Sequence, residues 1–326
     1  MTARALWFVS PGCVELRALA QVSLGAGEVR ARALASGISQ GTELLLYRGE
    51  GPTPFDPSLD APGAPTYPRR YGYAWVGEVT ESRAPSLIPG TRVFALAPHG
   101  DEHVALAEAF RPLPSAVPPE RAVLAANLET AVNVVWDAAV GLGDRVLVLG
   151  GGIVGLLSGY AARLSGARHV ALCEPSALRR RAALSLGFDR AEAPGALPAG
   201  FEADVVIEAT GDPACLDQAI AHARLEGVIV VASFYGQRAA PVALGAEFHR
   251  RRLTLRASQV SRIPPRLAAG WSFARRFALV TELLRADELG CLLEPSVPFA
   301  QAAAIYERLA RAPADALQTV FDYQVV

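Results

Sequence analysis

Arg145-Val146-Leu147-Val148-Leu149-Gly150-Gly151-Gly152-Ile153-Val154-Gly155 is the stretch that decides the fold. An apolar run, Val146 to Leu149, enters glycines at G-x-G-x-x-G spacing: Gly150, Gly152 and Gly155. A small-residue stretch, Ile153 to Ser165, follows and predicts a helix. A second apolar run, His169 to Cys173, ends on Glu174, 19 residues after Gly155. The order is strand, tight turn, helix, strand, acid. At such a turn the first glycine permits the sharp bend. The second lets backbone N–H groups approach a pyrophosphate, and the third lets helix and strand pack closely. The helix N-terminus adds partial positive charge and free donors. Glu174 stands where a carboxylate accepts hydrogen bonds from the adenosine ribose. The motif therefore predicts a dinucleotide site built from Gly150, Gly152, Ile153, Val154, Gly155 and Glu174. The acid favours NAD, because it would repel a 2′-phosphate; NADP is the alternative. Arg179, Arg180 and Arg181 on the next helix read as a solvated face.

Outside this unit the chain changes character twice. Before it, short runs read as strands separated by Pro and Gly turns: Ala3 to Val9, Val14 to Ala20, Glu28 to Ile38, Arg70 to Thr80 and Thr91 to Leu96. They suggest a β-barrel-like domain. A proline-rich loop between Glu50 and Arg70, with Pro52, Pro54, Pro57, Pro62, Pro65 and Pro68, is long for a compact domain. It reads as a functional lip or an insertion. From Glu120 helices and strands alternate, which predicts a doubly wound parallel sheet. A helical stretch from Arg266 and a final strand–helix–strand close the chain, the last helix packing back on the first domain.

Composition narrows the function. Hydrophobic residues make up 51% and charged residues 19% of 326, which excludes a disordered chain. The formal charge of −1 gives no electrostatic reason for nucleic acid or anionic membrane as a partner. There is no lysine, so Schiff-base chemistry is excluded. Cys13, Cys173, Cys215 and Cys291 are scattered, as suits reduced thiols in a cytoplasmic protein. No signal peptide or membrane span is expected.

The segments Gly37-Ile38-Ser39, Gly41-Thr42-Glu43, Gly72-Tyr73-Ala74-Trp75-Val76-Gly77-Glu78-Val79, Pro89-Gly90-Thr91-Arg92-Val93, Thr130-Ala131 and Gly143-Asp144-Arg145-Val146 together resemble the medium-chain alcohol dehydrogenase/reductase superfamily over nearly the whole chain. Tyr73, in place of the motif histidine, and the Ser39 turn are most similar to the branch containing bacteriochlorophyllide dehydrogenases. The resemblance implies a GroES-like catalytic domain at 1–122, a Rossmann domain at 123–266 and a return segment at 267–326 completing the first. It implies a cleft in which a nicotinamide faces Ser39 and Tyr73, flanked by the segment from Ser233 and Phe234 to Gly236, with Thr210 and Gly211 passing near the adenosine ribose and pyrophosphate. A homodimer paired through Leu253 to Ala257 is the implied assembly.

The departures from that family bear on chemistry. Its zinc members place ligands where this chain has Ser39 or Gln40, Tyr73, Ala74, and Ala126 or Asn127. Hydroxyl, methyl and carboxamide groups there are not the thiolate, imidazole and carboxylate that hold Zn²⁺. The cysteine lobe of the structural zinc is missing between Val93 and His99. No zinc is expected. His99, Asp101 and His103 read as a polar surface turn rather than ligands. Without metal, hydrogen-bond donors must stabilise a developing alkoxide or enolate. Tyr73 is either that donor or a filler of the space. Thr42 either begins a proton relay or, with Ser39, caps a helix. Ser39 lines the site, and Glu43 holds the turn. The expected activity is zinc-independent, NAD(P)-dependent hydride transfer on a carbonyl/alcohol pair, possible substrates being bulky and apolar. Enone or quinone reduction, or dinucleotide binding without catalysis, are the alternatives.

Overall fold

A computed structural model describes residues 2–51, 66–236 and 238–323. Most of the proline-rich loop therefore lies outside the described residues. The chain divides into two compact units, Met1–Ala126 with Thr281–Val326, and Asn127–Val280.

The first unit begins with β1 (Arg4–Ser10) and β2 (Cys13–Ala18), an antiparallel pair. β3 (Glu28–Gly37) follows, then helix α1 (Thr42–Arg48), β4 (Trp75–Ser82), β5 (Arg92–Ala95), β6 (Glu102–Leu106) and β7 (Phe110–Pro112). Helix α2 (Pro119–Ala122) opens on prolines, whose missing N–H costs nothing at a helix start. β4 begins at Trp75, five residues after the strand expected from sequence, because Gly72 adopts φ +136° and turns the chain. The central helix expected from Glu120 is broken at Val123–Leu124, which separates α2 from α3 (Ala125–Ala138).

The second unit continues with β8 (Arg145–Leu149), α4 (Ile153–Leu164), β9 (His169–Cys173), α5 (Ala177–Ser185) and β10 (Arg190–Glu192). Then come β11 (Ala203–Glu208), α6 (Cys215–His222), β12 (Ala223–Val231), β13 (Thr254–Ala257) and α7 (Phe273–Leu283). The chain returns to the first unit with β14 (Val297–Pro298), α8 (Ala302–Arg311) and β15 (Val320–Asp322).

All pairings in the second unit's sheet are parallel, in the order β10-β9-β8-β11-β12-β13. The order reverses between β8 and β11. Right-handed crossovers then send successive helices to opposite faces, and ligands bind beyond the strand ends at that reversal. Central strands are near-continuous apolar runs, as a sheet covered on both faces requires. Leu147, Ala171, Val206 and Ile229 are fully buried in its core. Residues 267–280, assigned by sequence to the return segment, pack in this unit. Arg276 on α7 donates to Glu129 Oε1 at 3.2 Å and Asn133 Oδ1 at 2.9 Å, both on α3, and Trp271 stacks near Trp136.

In the first unit a seven-stranded sheet runs β14-β15-β3-β4-β5-β7, with β6 also pairing β3. One core gathers Leu6, Phe8, Ile38, Leu44, Phe299, Tyr306 and Phe321, so α8 does close this unit. The other gathers Val29, Trp75, Val79, Val93 and Phe110.

His103 corrects the surface reading made from sequence. Its ring lies against Trp75 and Phe110, at 6.0 and 5.7 Å between centroids. Burial, and then the positive charge of Arg70, lower its pKa from 6.5 to about 4. Between those values the unfolded chain takes up a proton that the folded one refuses. Stability is thus intact above pH 6.5 and falls as pH drops through this window, by up to about 1.4 kcal/mol per pH unit. Urea midpoints measured from pH 7 to 4 should show that slope, and His103→Phe should flatten it. Equal slopes in both proteins would refute the assignment.

Candidate functional site

The glycine turn lies in the second unit. Gly150 has φ +92°, and a Cβ there would sit 2.7 Å from the Ala209 carbonyl oxygen. A Cβ on Gly155 would collide with the Gly150 carbonyl. Gly152 differs: nothing lies within 4 Å of its Cβ position. The first and third glycines are required by packing inside the protein, whereas the second opens on free space. No side chain caps α4, and its first turn carries no acid. The donors of Ile153, Val154 and Gly155 at this helix start suit an anion.

Glu174, at the end of β9, is buried against the same turn. Gly151 N–H donates to its Oε2 at 2.6 Å and Ser176 N–H to its Oε1 at 2.7 Å. Two backbone bonds leave carboxylate lone pairs for further donors. The three arginines do not form one solvated face. Arg179 Nη1 lies 4.0 Å from Glu174 Oε2, Arg180 donates to the Glu174 and Pro175 carbonyls, and Arg181 is exposed.

The remaining dinucleotide candidates meet at an unforeseen residue. Glu208, fully buried at the end of β11, accepts Thr210 N–H at 2.7 Å, Thr210 Oγ1–H at 2.5 Å and Tyr235 O–H at 2.5 Å. Gly211 N–H donates to Ser233 Oγ at 2.8 Å. The two loops are thereby tied, and Phe234 remains 48% exposed. Burial first, and then the bond to Glu208, push the Tyr235 phenol above its ordinary pKa. The sequence held one signal for Glu208: an acid ending an apolar strand, as Glu174 does.

In the first unit Tyr73, through its hydroxyl, and Thr42, through its backbone N–H and not its side chain, meet at the Ser39 oxygen. Tyr73 O–H donates to Ser39 Oγ, and Thr42 N–H donates to it at 3.3 Å. Both lone pairs are used, so the Ser39 hydroxyl proton is left to donate. The turn carrying these groups is anchored on each side. Gly37 N–H donates to Ala74 O at 2.8 Å, and Ile38 N–H to Thr319 O at 3.1 Å. Ser39 N–H donates to Glu43 Oε1 at 2.9 Å, so Glu43 does hold the turn.

His99 is a second correction. It is completely buried, not a surface residue. Its Nε2 lies 2.9 Å from Glu43 Oε2, and its Nδ1 lies 2.6 Å from Ser36 Oγ, which lies 2.6 Å from Tyr323 Oη. Tyr306 O–H donates to the same Glu43 oxygen. Burial first, and then the Glu43 charge, hold the Tyr306 phenol well above its usual range; burial does the same for Tyr323. Asp101 pairs with Arg4 instead, at 3.2 Å, so His99, Asp101 and His103 do not converge. Among the described residues no three His, Cys, Asp or Glu side chains group as metal ligands. The hydroxyls of Ser39 and Tyr73 and the methyl of Ala74 are not a donor set that fits zinc.

The family model described as zinc-binding dehydrogenase matches residues 154–275. A sorbitol dehydrogenase of Gallus gallus is 32% identical over 130 residues, 36% of this chain and 37% of the relative. The match thus spans little more than a third of that relative's length. A zinc-binding dehydrogenase of Sinorhizobium meliloti 1021, solved bound to NADP, has a TM-score of 0.80 at 20% identity, covering 99% of this chain and 100% of that one. A short chain alcohol dehydrogenase of Escherichia coli CFT073, complexed with NADH, has a TM-score of 0.80 at 18% identity with the same coverage. Residues 154–275 thus match the zinc-binding dehydrogenase family model, and over nearly its whole length the chain shares the fold of these solved dehydrogenases.

Proposed function

We propose that the chain is a zinc-independent, nicotinamide-dependent oxidoreductase acting on a carbonyl/alcohol pair. The observation that carries this is the glycine turn: closed at Gly150 and Gly155, open at Gly152, at an uncapped helix start beside Glu174. The nicotinamide, when bound, accepts or supplies the hydride. The pyrophosphate is held by the backbone from Gly150 to Gly155 and the ribose by Glu174, which favours NAD over NADP. Ser39, polarised by the Tyr73 bond, passes its proton to the substrate oxygen in reduction and takes the Tyr73 proton in its place, the half-buried phenol recovering one from solvent; in oxidation the same transfers run in reverse. The same two hydroxyls would serve the enolate oxygen of an enone or quinone. The absence of ligating side chains at 39, 73 and 74 keeps that reading as the second one.

Gly152→Leu fills the open space with a side chain. Titration with NADH, read by fluorescence, should show binding in the parent and none in the variant; equal affinity in both would sink the cofactor assignment. Zinc independence is checked by elemental analysis and chelation. Substoichiometric zinc and turnover unaffected by chelator are expected, whereas one zinc per chain, with activity lost on its removal, would reverse the reading. All four residues of β13 are exposed at the sheet edge, which suits the proposed homodimer. No described helix is long and apolar enough to cross a membrane; a cytoplasmic location rests on the four free thiols.

A further inference from the structure

The geometry points to His99 and Glu43 as the positioning pair for the Ser39–Tyr73 hydroxyls, an inference that rests on the proposal that those hydroxyls handle the substrate oxygen. Two turns carry the pair, and both abut the same imidazole. The Ser39 turn is held through Glu43. Its Oε1 takes the Ser39 N–H, while its Oε2 takes His99 and Tyr306. The Tyr73 turn is held through Gly72. A Cβ at Gly72 would lie 3.0 Å from His99 Cδ2 and 3.1 Å from its Nε2, so the ring forms the floor beneath the residue that precedes Tyr73.

The imidazole is itself fixed at both nitrogens. The carboxylate can only accept, so Nε2 carries the proton, and Nδ1 faces Ser36, which Tyr323 holds from the other side. Among the described residues the hydrogen bonds lead from His99 to the Ser39 turn by way of Glu43. The connection passes through the Ser39 backbone N–H, which does not relay protons. His99 is therefore placed to orient the hydroxyls and not to exchange a proton with the substrate.

Two substitutions separate these roles. Gln at 99 offers an amide N–H to Glu43 without titrating, whereas Phe fills the space with no donor. Amide exchange at Ser39, kcat and NADH affinity would be measured for the parent, His99→Gln and His99→Phe. In His99→Phe we expect faster exchange at Ser39, kcat lower by roughly 10²-fold and NADH affinity unchanged. His99→Gln should recover most of both losses. Parental exchange or parental kcat in His99→Phe would overturn the inference. So would a His99→Gln variant as impaired as His99→Phe, because that outcome requires a titrating group. Should His99→Phe fail to fold, Ser36→Ala frees Nδ1 and the Tyr323 hydroxyl while leaving the Glu43 bond in place. It should speed Ser39 exchange and lower kcat part-way, and no change in either would overturn the inference. If the parent turns over no carbonyl, enone or quinone, the proposed activity fails on its own, and Ser39 exchange across the variants still decides the positioning role.

Discussion

Glu43→Ala should destabilise the first unit by about 3 kcal/mol or more, because it leaves three buried donors without their acceptor. Glu43 and His99 are both 0% exposed, so water cannot replace what is lost. Removing the carboxylate strands three donors at once: Ser39 N–H, His99 Nε2–H and the Tyr306 hydroxyl. Each unpaired buried group costs about 1–3 kcal/mol, which sets that magnitude. The measurement is a denaturant melt followed by a probe in the first unit, with NADH binding as a reporter for the second. A loss below about 1 kcal/mol would mean that the cluster is wetter or looser than described.

Tyr73→Phe should lower kcat by roughly 10²–10³-fold, because it removes the donor that polarises the Ser39 hydroxyl against a developing oxyanion. KM should change little if the bond tightens mainly in the transition state. Phe keeps the ring and its edge-on packing against Tyr71, at 6.4 Å between centroids. The substitution therefore distinguishes a donor from a space-filling side chain. Steady-state kinetics on a panel of alcohols, enones and quinones is the test. Unchanged kcat on every turned-over substrate would show that Ser39 needs no polarising bond and reduce Tyr73 to packing.

How much could be read from residues alone depended on the distance along the chain over which each feature is built. The glycine turn and its acid lie within 30 residues, and every part carries a local signature, so its strand, bend, helix and second strand were all legible. The Ser39 turn was legible as a turn, because β3 must end where Gly37 packs against Val123. The His99 cluster was not. Its bonds join residues 56 and 287 positions apart, and the neighbours of His99 in sequence, Gly100, Asp101 and Glu102, are those of an exposed turn. His103 was hidden in the same way, by polar neighbours in sequence and aromatic ones in space. The short strand β10, Arg190–Glu192, has no apolar run to announce it; it exists because β9 offers it an edge. The extent of the return segment was misjudged because α7 is amphipathic wherever it packs. Only the Arg276 bonds to α3 show which core it serves.

The pairing of β15 with β3 has a consequence for synthesis. Phe321 lies opposite Ser36, and Val320 opposite Gly37, so the sheet that starts with β3 at Glu28 is finished by a strand at Val320–Asp322. On the ribosome the parallel sheet, contiguous in sequence from β8 to β13, can close while the sheet around β3 still lacks two members. The earlier-made unit is thus the later to mature. Ser36 waits exposed for Tyr323, and the imidazole between Ser36 and Glu43 stays unclamped until Tyr306 and Tyr323 arrive. The parallel sheet can thus form before the segment that carries Tyr306 and Tyr323 is made, whereas the cluster of Ser36, His99 and Glu43 is completed only with that segment.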